Sequence, residues 1–309
     1  MQIRSLPPLS FDPPASSEPN GLTPASMVTT TDFSNEVLRK VANSNLKKTH
    51  DPIQLSGLYP VACEQLARVG GTNDGGYVVP LNAIAAAHAL VSFGLSHDWT
   101  FERDFKKRNA DAIVHCYDHT VSAGTAFQYS IGQLLRFFLK LRASYFRKIF
   151  TWIDYKVFFC ADRIHFKQRI WRDGQNNSAT IDDVFSRLPA KCPVFVKMDI
   201  EGSEYVVLDD LLRHSKDIVA MVIEFHDVDS SFDLFNSFVE KIKREFYIVH
   251  IHGNNIGGLT PFNFPVFPEI TFFNKRFFNT TPPPSGLNYP IPGLDRPNNP
   301  RSPDLKFEF

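Results

Sequence analysis

Three carboxylates fall within six residues in the run Lys197-Met-Asp199-Ile-Glu201-Gly-Ser-Glu204-Tyr205, where a valine-rich strand pattern gives way to a helical one. Acids placed there can offset a helix N-terminus, hold a cation or move a proton. Asp199 closes the apolar run and is expected to face a cleft, whereas Glu204 reads as a cap or ion-pair partner. Three carboxylates with no clearly placed histidine do not specify a metal, so that question stays open. A second constellation is Ser92-Phe93-Gly94-Leu-Ser96-His97-Asp98, a strand ending at a glycine, followed 24 residues later by Asp118 at the end of another apolar run. Glycine lets a backbone turn sharply against a ligand, and an acid closing the next strand can accept hydrogen bonds from ribose hydroxyls. Together they point to a nucleoside cofactor. The G-x-G-x-x-G that seats a pyrophosphate is missing, since Leu95, Ser96 and His97 follow Gly94.

The elements that must position these residues alternate in type. Strand patterns at 89–94, 112–118, 194–200, 219–225, 247–252 and 269–273 are interleaved with helical spacing at 100–108, 204–214 and 231–244. That alternation predicts an α/β fold with a mostly parallel sheet. In such sheets ligands bind beyond the carboxyl ends of the strands, which singles out Gly94, Asp118, Asp199 and the residues after Phe225. Ahead of the sheet, Asp32 or Ser34 caps an expected amphipathic helix. Four glycines around Asn73-Asp74 predict a hairpin over 68–80, carrying Tyr77.

The chain has 309 residues with 33 basic and 33 acidic side chains and an apolar fraction of 43%. Zero net charge argues against a general nucleic-acid binder. Six of the 22 prolines lie in residues 1–30 and eight in 279–309. Residues 1–30 therefore read as a disordered tail, 31–278 as one domain, and 279–309 as a Pro-rich strap lying on it near the acceptor site. Four scattered cysteines form no CxxC pair, no secretory h-region opens the chain and no apolar run is long enough to span a bilayer, so a cytoplasmic protein is the expectation. An insertion over about 121–175 interrupts the alternation. Its 133–172 stretch holds ten Arg/Lys, two acids and eleven aromatics. The favoured reading is core-packed amphipathic helices with a basic outer face; the alternative is peripheral contact with an anionic membrane.

Lys197-Met-Asp-Ile-Glu-Gly-Ser-Glu-Tyr205, with Leu208 three residues on, resembles the signature of the FkbM-type methyltransferases, as does Thr180-Ile-Asp-Asp-Val-Phe185 ahead of it. Asn73-Asp-Gly-Gly-Tyr77, Ser92 to Glu102, Tyr117-Asp-His-Thr120 and Leu294 to Pro300 are similar to segments of one branch of that family. The resemblance covers about residues 60–275. It implies a class I methyltransferase (Rossmann-like) fold, a seven-stranded sheet with helices on both faces, and S-adenosylmethionine as methyl donor. It also implies O-methylation of a hydroxyl on a sugar, glycan or secondary metabolite. Ser92, Phe93, Gly94, Asp98, Asp118, His119 and Asp199 are then the expected cofactor contacts. Ser96 stands where many methyltransferases have a second glycine, a departure that weakens the cofactor inference and that a serine can fit if its φ is negative. Methylating an alcohol calls for a base, and histidine has a suitable intrinsic pKa. His226 is the first choice, held by Glu224 and with Asp199 orienting donor or acceptor; His252 is the second. Tyr77, Asn254 and Asn255 are the expected contacts to the acceptor. A nicotinamide-dependent oxidoreductase and a non-catalytic membrane-peripheral module on the same fold are the competing readings.

Overall fold

The protein is described by a computed structural model that covers residues 55–140, 149–307 and 309. The expected helix near Asp32 and the Pro-rich 1–30 segment lie outside the described residues, as do residues 141–148 of the basic-aromatic stretch.

Uninterrupted apolar runs build the centre of the sheet. In β3 (Ala89–Phe93), β8 (Val194–Met198) and β9 (Ile218–Glu224) every residue is buried. A strand buried on both faces needs a layer on each side, which is the environment of parallel strands. Beside β3 lie β4 (Ile113–Tyr117) and then the short edge strand β5 (Arg163–Phe166), all parallel. On the other flank β11 (Pro268–Asn274) runs antiparallel between β9 and the edge strand β10 (Phe246–Gly253). The seven strands therefore stand in the order β10-β11-β9-β8-β3-β4-β5. Six parallel strands whose order reverses direction of travel at β3/β8, with β11 alone antiparallel next to the far edge, are the class I methyltransferase sheet. The seven-stranded expectation is borne out.

Short-range signals set the flanking elements. A hairpin of β1 (Leu66–Gly70) and β2 (Gly76–Pro80) forms as expected. Its turn is held by Arg68, which donates to the carbonyls of Gly71 and Asn73. The hairpin delivers Tyr77 to the sheet, edge-on to Phe101 at 5.7 Å. Between β2 and β3 runs the short helix α1 (Leu81–Ala86). Helix α2 (Thr100–Arg108) turns Phe101 and Phe105 inward against Phe195 of β8. Asp98 caps α2 by accepting from the Thr100 N–H. On the opposite face Phe225 packs on Tyr205 of α6 (Glu204–Leu212) and on Phe235 of α7 (Val228–Ile242). The small pair β6 (Arg169–Ile170) and β7 (Ser178–Ala179) precedes α5 (Ile181–Ser186), whose Thr180 and Asp183 form a reciprocal capping box.

The 133–172 stretch follows the favoured expectation in one helix and departs from it in the other. Helices α3 (Ala123–Lys140) and α4 (Thr151–Phe158) are present, and α4 buries Tyr155 and Phe158. Along α3, however, the buried residues are Ala126, Ser130 and Gln133, while Phe127, Ile131, Leu134, Leu135, Phe138 and Leu139 are exposed. The buried set recurs at i, i+4 and i+7, so the helix turns its small and polar stripe inward. Ser130 secures that stripe by accepting from the Trp152 N–H at the start of α4. No helix among the described residues is long and apolar enough to cross a membrane.

After β11 the chain runs back over the carboxyl end of β10 without regular structure. Ala62 and Ser285 exchange backbone bonds with Pro283 and Pro60. Asn298 donates to Glu269 at 2.7 Å, and Asn255 donates to the carbonyls of Asn299, Ser302 and Pro303. His252 joins the two ends of this arrangement, with Nδ1 2.8 Å from Glu269 and Nε2 3.0 Å from Asp304. Burial works against charging the imidazole, but the Glu269 carboxylate and the hydrogen bonds to Asp304 and Glu269 outweigh it and lift its pKa from 6.5 to about 10. A pKa raised on folding adds stability that is complete below the unfolded-state value and is lost as pH climbs to the folded value. Stability is therefore expected to decline between pH 6.5 and about 10, with the C-terminal strap loosening first. Thermal melts across that range should slope downward in the wild type and more shallowly in His252→Gln.

Candidate functional site

The turn after β3 lies at the switch point of the sheet, where α/β folds bind ligands. Gly94 has φ +83°, and a Cβ there would stand 1.7 Å from the Asp199 carbonyl oxygen. The Asp199 N–H donates to Phe93 O at 3.0 Å and the Gly94 N–H to Tyr117 O at 3.1 Å, so the ends of β3, β4 and β8 are tied together through backbone. Behind the turn the buried Lys197 donates to Gly94 O at 2.6 Å. Burial opposes its charge, but the carboxylates of Glu102 and Asp199 reverse that and raise its pKa. Ser96 has φ +50°, in the left-handed region and not at a negative φ. That conformation costs a non-glycine residue about 1–2 kcal/mol and is held by a hydrogen bond from its N–H to Asp118 at 3.0 Å.

Asp118 organises the turn. One carboxylate oxygen accepts from the N–H groups of Leu95 and Ser96, and the other from the N–H and hydroxyl of Thr120. Burial pushes its pKa up, but these hydrogen bonds, led by the Thr120 hydroxyl, bring it below the usual carboxylate value. Four donors fill the acceptor capacity of a carboxylate, so a ribose hydroxyl reaching Asp118 displaces one of them. The same arrangement bears on which nucleotide fits. The N–H groups that would cradle a pyrophosphate already bind an acid, whose charge repels phosphate. The turn suits a cofactor without phosphates.

Several expected cofactor contacts prove structural. The Ser92 hydroxyl is buried and bonds Glu102 at 2.5 Å, and the Phe93 ring is fully buried beside Tyr117. Neither side chain reaches the cleft, because the strand turns both into packed layers. Asp98 is exposed ahead of α2 and accepts from the Thr100 N–H through one oxygen. His119 is exposed at the carboxyl edge of β4, next to Asp118.

The second half of the site is built from four elements. Asp199 follows β8, Glu224 ends β9 with His226 just beyond, Asn254 follows β10, and Tyr77 comes from the hairpin. The Tyr77 hydroxyl lies 3.1 Å from Asp199 Oδ2 and 3.4 Å from Glu224 Oε2, and Asn254 donates to Glu224 Oε1 at 2.9 Å. Burial, then the charges of Asp199 and Glu269, raise the Glu224 pKa well above its ordinary value. The partner of His226 is Glu204, not Glu224: Nδ1 lies 3.1 Å from Glu204 Oε1, while Glu224 Oε1 is 3.9 Å from Nε2. Glu204 Oε1 also accepts from the Ile200 N–H, and the Tyr205 hydroxyl fixes the His226 carbonyl.

These contacts correct the choice of base. Burial disfavours the His226 imidazolium, but Glu204, Glu224 and Asp199 raise its pKa to about 10. At neutral pH the ring already carries the proton it was expected to take. His252 is 2% exposed with both nitrogens engaged by the strap contacts, so it faces no acceptor. Asn255 likewise holds the strap and not a ligand. Glu204, read from the sequence as a cap or ion-pair partner, pairs with a histidine 22 residues away, a partner its sequence neighbours do not identify. Glu201, with a side chain 87% exposed and Oε2 3.5 Å from His226 Nε2, is the freest acid at the mouth. A separate groove of about 800 Å³ lies in the strap, bordered by Tyr59, Tyr289, Asp295 and Phe307, and includes none of these groups.

No protein-family model and no curated protein sequence matches the chain. Among solved structures it is similar to a chain of a fibrillarin/Nop5p complex, with 12% identity and a TM-score of 0.33 over 65% of this chain and 86% of that one. A Methanococcus jannaschii fibrillarin pre-rRNA processing protein gives 10% and 0.34 over 62% and 68%. A precorrin-6y C5,15-methyltransferase from Geobacter metallireducens gives 12% and 0.31 over 63% and 86%. The fold assignment rests on the strand order and directions.

The Gly94 contact yields a direct prediction. Gly94→Ala combines a strained φ with a backbone clash and should cost about 3 kcal/mol or more. Denaturant unfolding of the variant should show that loss, whereas Gly132→Ala, with nothing within 4 Å of the added Cβ, should unfold within about 1 kcal/mol of the wild type.

Proposed function

We propose that the protein is an S-adenosylmethionine-dependent O-methyltransferase of the FkbM type, acting on a hydroxyl of a sugar or glycan, with a secondary metabolite as second choice. The observation that carries this reading is the turn at Gly94, whose Leu95 and Ser96 N–H groups are taken by Asp118, placed beside a rim of carboxylates and amides at the switch point. When bound, S-adenosylmethionine supplies an electrophilic methyl group on a sulfonium centre. The Gly94 turn and the carboxyl edge of β4, with Asp118 and His119, would hold its nucleoside, and Asp199 faces its positive charge. Tyr77 and Asn254, both buried, stand behind the acceptor side, where their hydroxyl and amide hold Asp199 and Glu224. Holding the two reactants in line removes most of the entropic barrier. As the acceptor oxygen bonds to the methyl carbon, the carbon–sulfur electron pair stays on sulfur and the hydroxyl proton passes to a carboxylate of the rim, for which Glu201 is best exposed.

Calorimetric titration tests the cofactor. S-adenosylmethionine and its demethylated product should bind the wild type, NAD should not, and Asp118→Ala should weaken binding at least tenfold. Binding of NAD in place of S-adenosylmethionine would overturn the reading. Incubation with candidate glycans and isotopically labelled cofactor, followed by mass spectrometry, identifies the acceptor.

The outer face of α3 supports a further part of this reading, peripheral contact with an anionic membrane. Its exposed Phe127, Ile131, Leu135 and Leu139 are accompanied by exposed Arg136 and Lys156. The acids of the region are neutralised, Asp154 by Arg103 and Asp162 by Lys106. An apolar face with a basic surplus suits an interface of anionic lipid headgroups. The protein should float with vesicles containing phosphatidylserine. Vesicles of phosphatidylcholine alone, or the variant Leu135→Glu/Leu139→Glu, should leave it at the bottom of the gradient.

A further inference from the structure

More carboxyl groups gather around His226 than its two ring nitrogens can pair with at hydrogen-bond distance. Four carboxylates approach its two nitrogens: Glu204 at 3.1 Å from Nδ1, and Glu201, Asp199 and Glu224 at 3.5, 3.9 and 3.9 Å from Nε2. Glu204 and Glu224 are buried, and the second oxygen of Glu204 is buried with no hydrogen-bond partner among the described residues. Burying that much charge is costly unless something compensates it. Tyr77 and Asn254 contribute hydrogen bonds but no positive charge, and the buried Lys197 near Asp199 is shared with Glu102 and the Gly94 carbonyl.

The geometry supplies a place for the missing charge. One oxygen each from Asp199 and Glu224 and one nitrogen of His226 lie within 4.8 Å of one another. For a cation with bonds of about 2.1 Å, adjacent ligands are about 3 Å apart and opposed ones just over 4 Å. The Nε2–Asp199 and Nε2–Glu224 separations of 3.9 Å fall between those limits. The surroundings are those of a metal histidine: its Nδ1 is directed at the carboxylate of Glu204, which sets the ring orientation, and the ion takes the place of the Nε2 proton, which passes to solvent. Asn254 on Glu224 and Tyr77 on Asp199 would orient the two carboxylates in the same way.

We propose that Asp199, Glu224 and His226 bind one divalent cation. Two carboxylates and one imidazole fit a metal that accepts both oxygen and nitrogen, of the manganese class. The side toward the exposed Glu201 stays open for water or for oxygens of the acceptor. Binding needs nothing from the methyltransferase reading, but its use does: on that reading the cation stabilises the negative charge that develops on the acceptor oxygen. The proton of that hydroxyl goes to Glu201, the oxygen bonds to the methyl carbon, and the carbon–sulfur electron pair remains on sulfur.

Manganese binding can be measured by electron paramagnetic resonance on the whole chain without any cofactor. One Mn²⁺ per chain is expected in the wild type, with affinity at least tenfold weaker in Asp199→Asn and in Glu224→Gln, both checked for folding by circular dichroism. A second measurement needs no variant: Mn²⁺ should broaden the amide resonances of Ile200, Phe225 and Asn254 and spare those of α3. Absence of tight Mn²⁺ binding, equal affinity in both folded variants, or broadening spread over the surface would overturn the site. Mn²⁺ bound without any affinity for S-adenosylmethionine would keep the site and remove the methyltransferase reading; S-adenosylmethionine bound without Mn²⁺ would do the reverse.

Discussion

The close approach of the Gly94 turn to the Asp199 carbonyl governs the site. Only a residue without a Cβ can turn at φ +83° with that oxygen so near, and the approach brings the ends of β3 and β8 together at the reversal of strand order. Everything that binds or reacts is arranged from there. Asp118 takes the N–H groups of the turn on one side, and Lys197 takes its carbonyl from beneath. Asp199, set by its own N–H on Phe93, faces the carboxylate and histidine of the neighbouring strand.

Buried polar groups connect this turn to the rest of the molecule. Tyr77 reaches Asp199 and Glu224 from the hairpin, Asn254 reaches Glu224 from β10, and Glu204 reaches His226 from α6. The strap continues the network outward, since Asn298 holds Glu269 and His252 joins Glu269 to Asp304. A network of this kind is stable only when its members are satisfied. The crowding of acids at its centre is what the proposed cation would offset.

Much of the architecture was legible in the chain. Apolar runs bounded by glycine or acid gave β3, β4, β8, β9, β10 and β11 to within two residues, and Phe101 and Phe105 four apart gave α2. The glycines around Asn73-Asp74 gave the hairpin. α3 misled because its composition is apolar on more than one side, and composition alone does not say which stripe turns inward; Ser130 and Gln133 do. The histidines misled for a related reason. His226 follows a buried strand and His252 lies near the end of one, and their sequence neighbours do not include Glu204, Glu269 or Asp304, which set their charge.

Local sequence determined where strands end and which residues stand at those ends, because apolar periodicity and turn chemistry act over a few neighbours. It therefore placed Gly94, Asp118, Asp199, Glu224 and His226 at one edge of a parallel sheet. Only the tertiary structure decided what each does there. It gave Asp118 to the turn, Glu204 to His226, Asn255 and His252 to the strap, and left Asp199, Glu224 and His226 converging. Protonation and hydrogen bonding depend on distances of about 3–4 Å between groups far apart in the chain, and those distances exist only after the strands have paired.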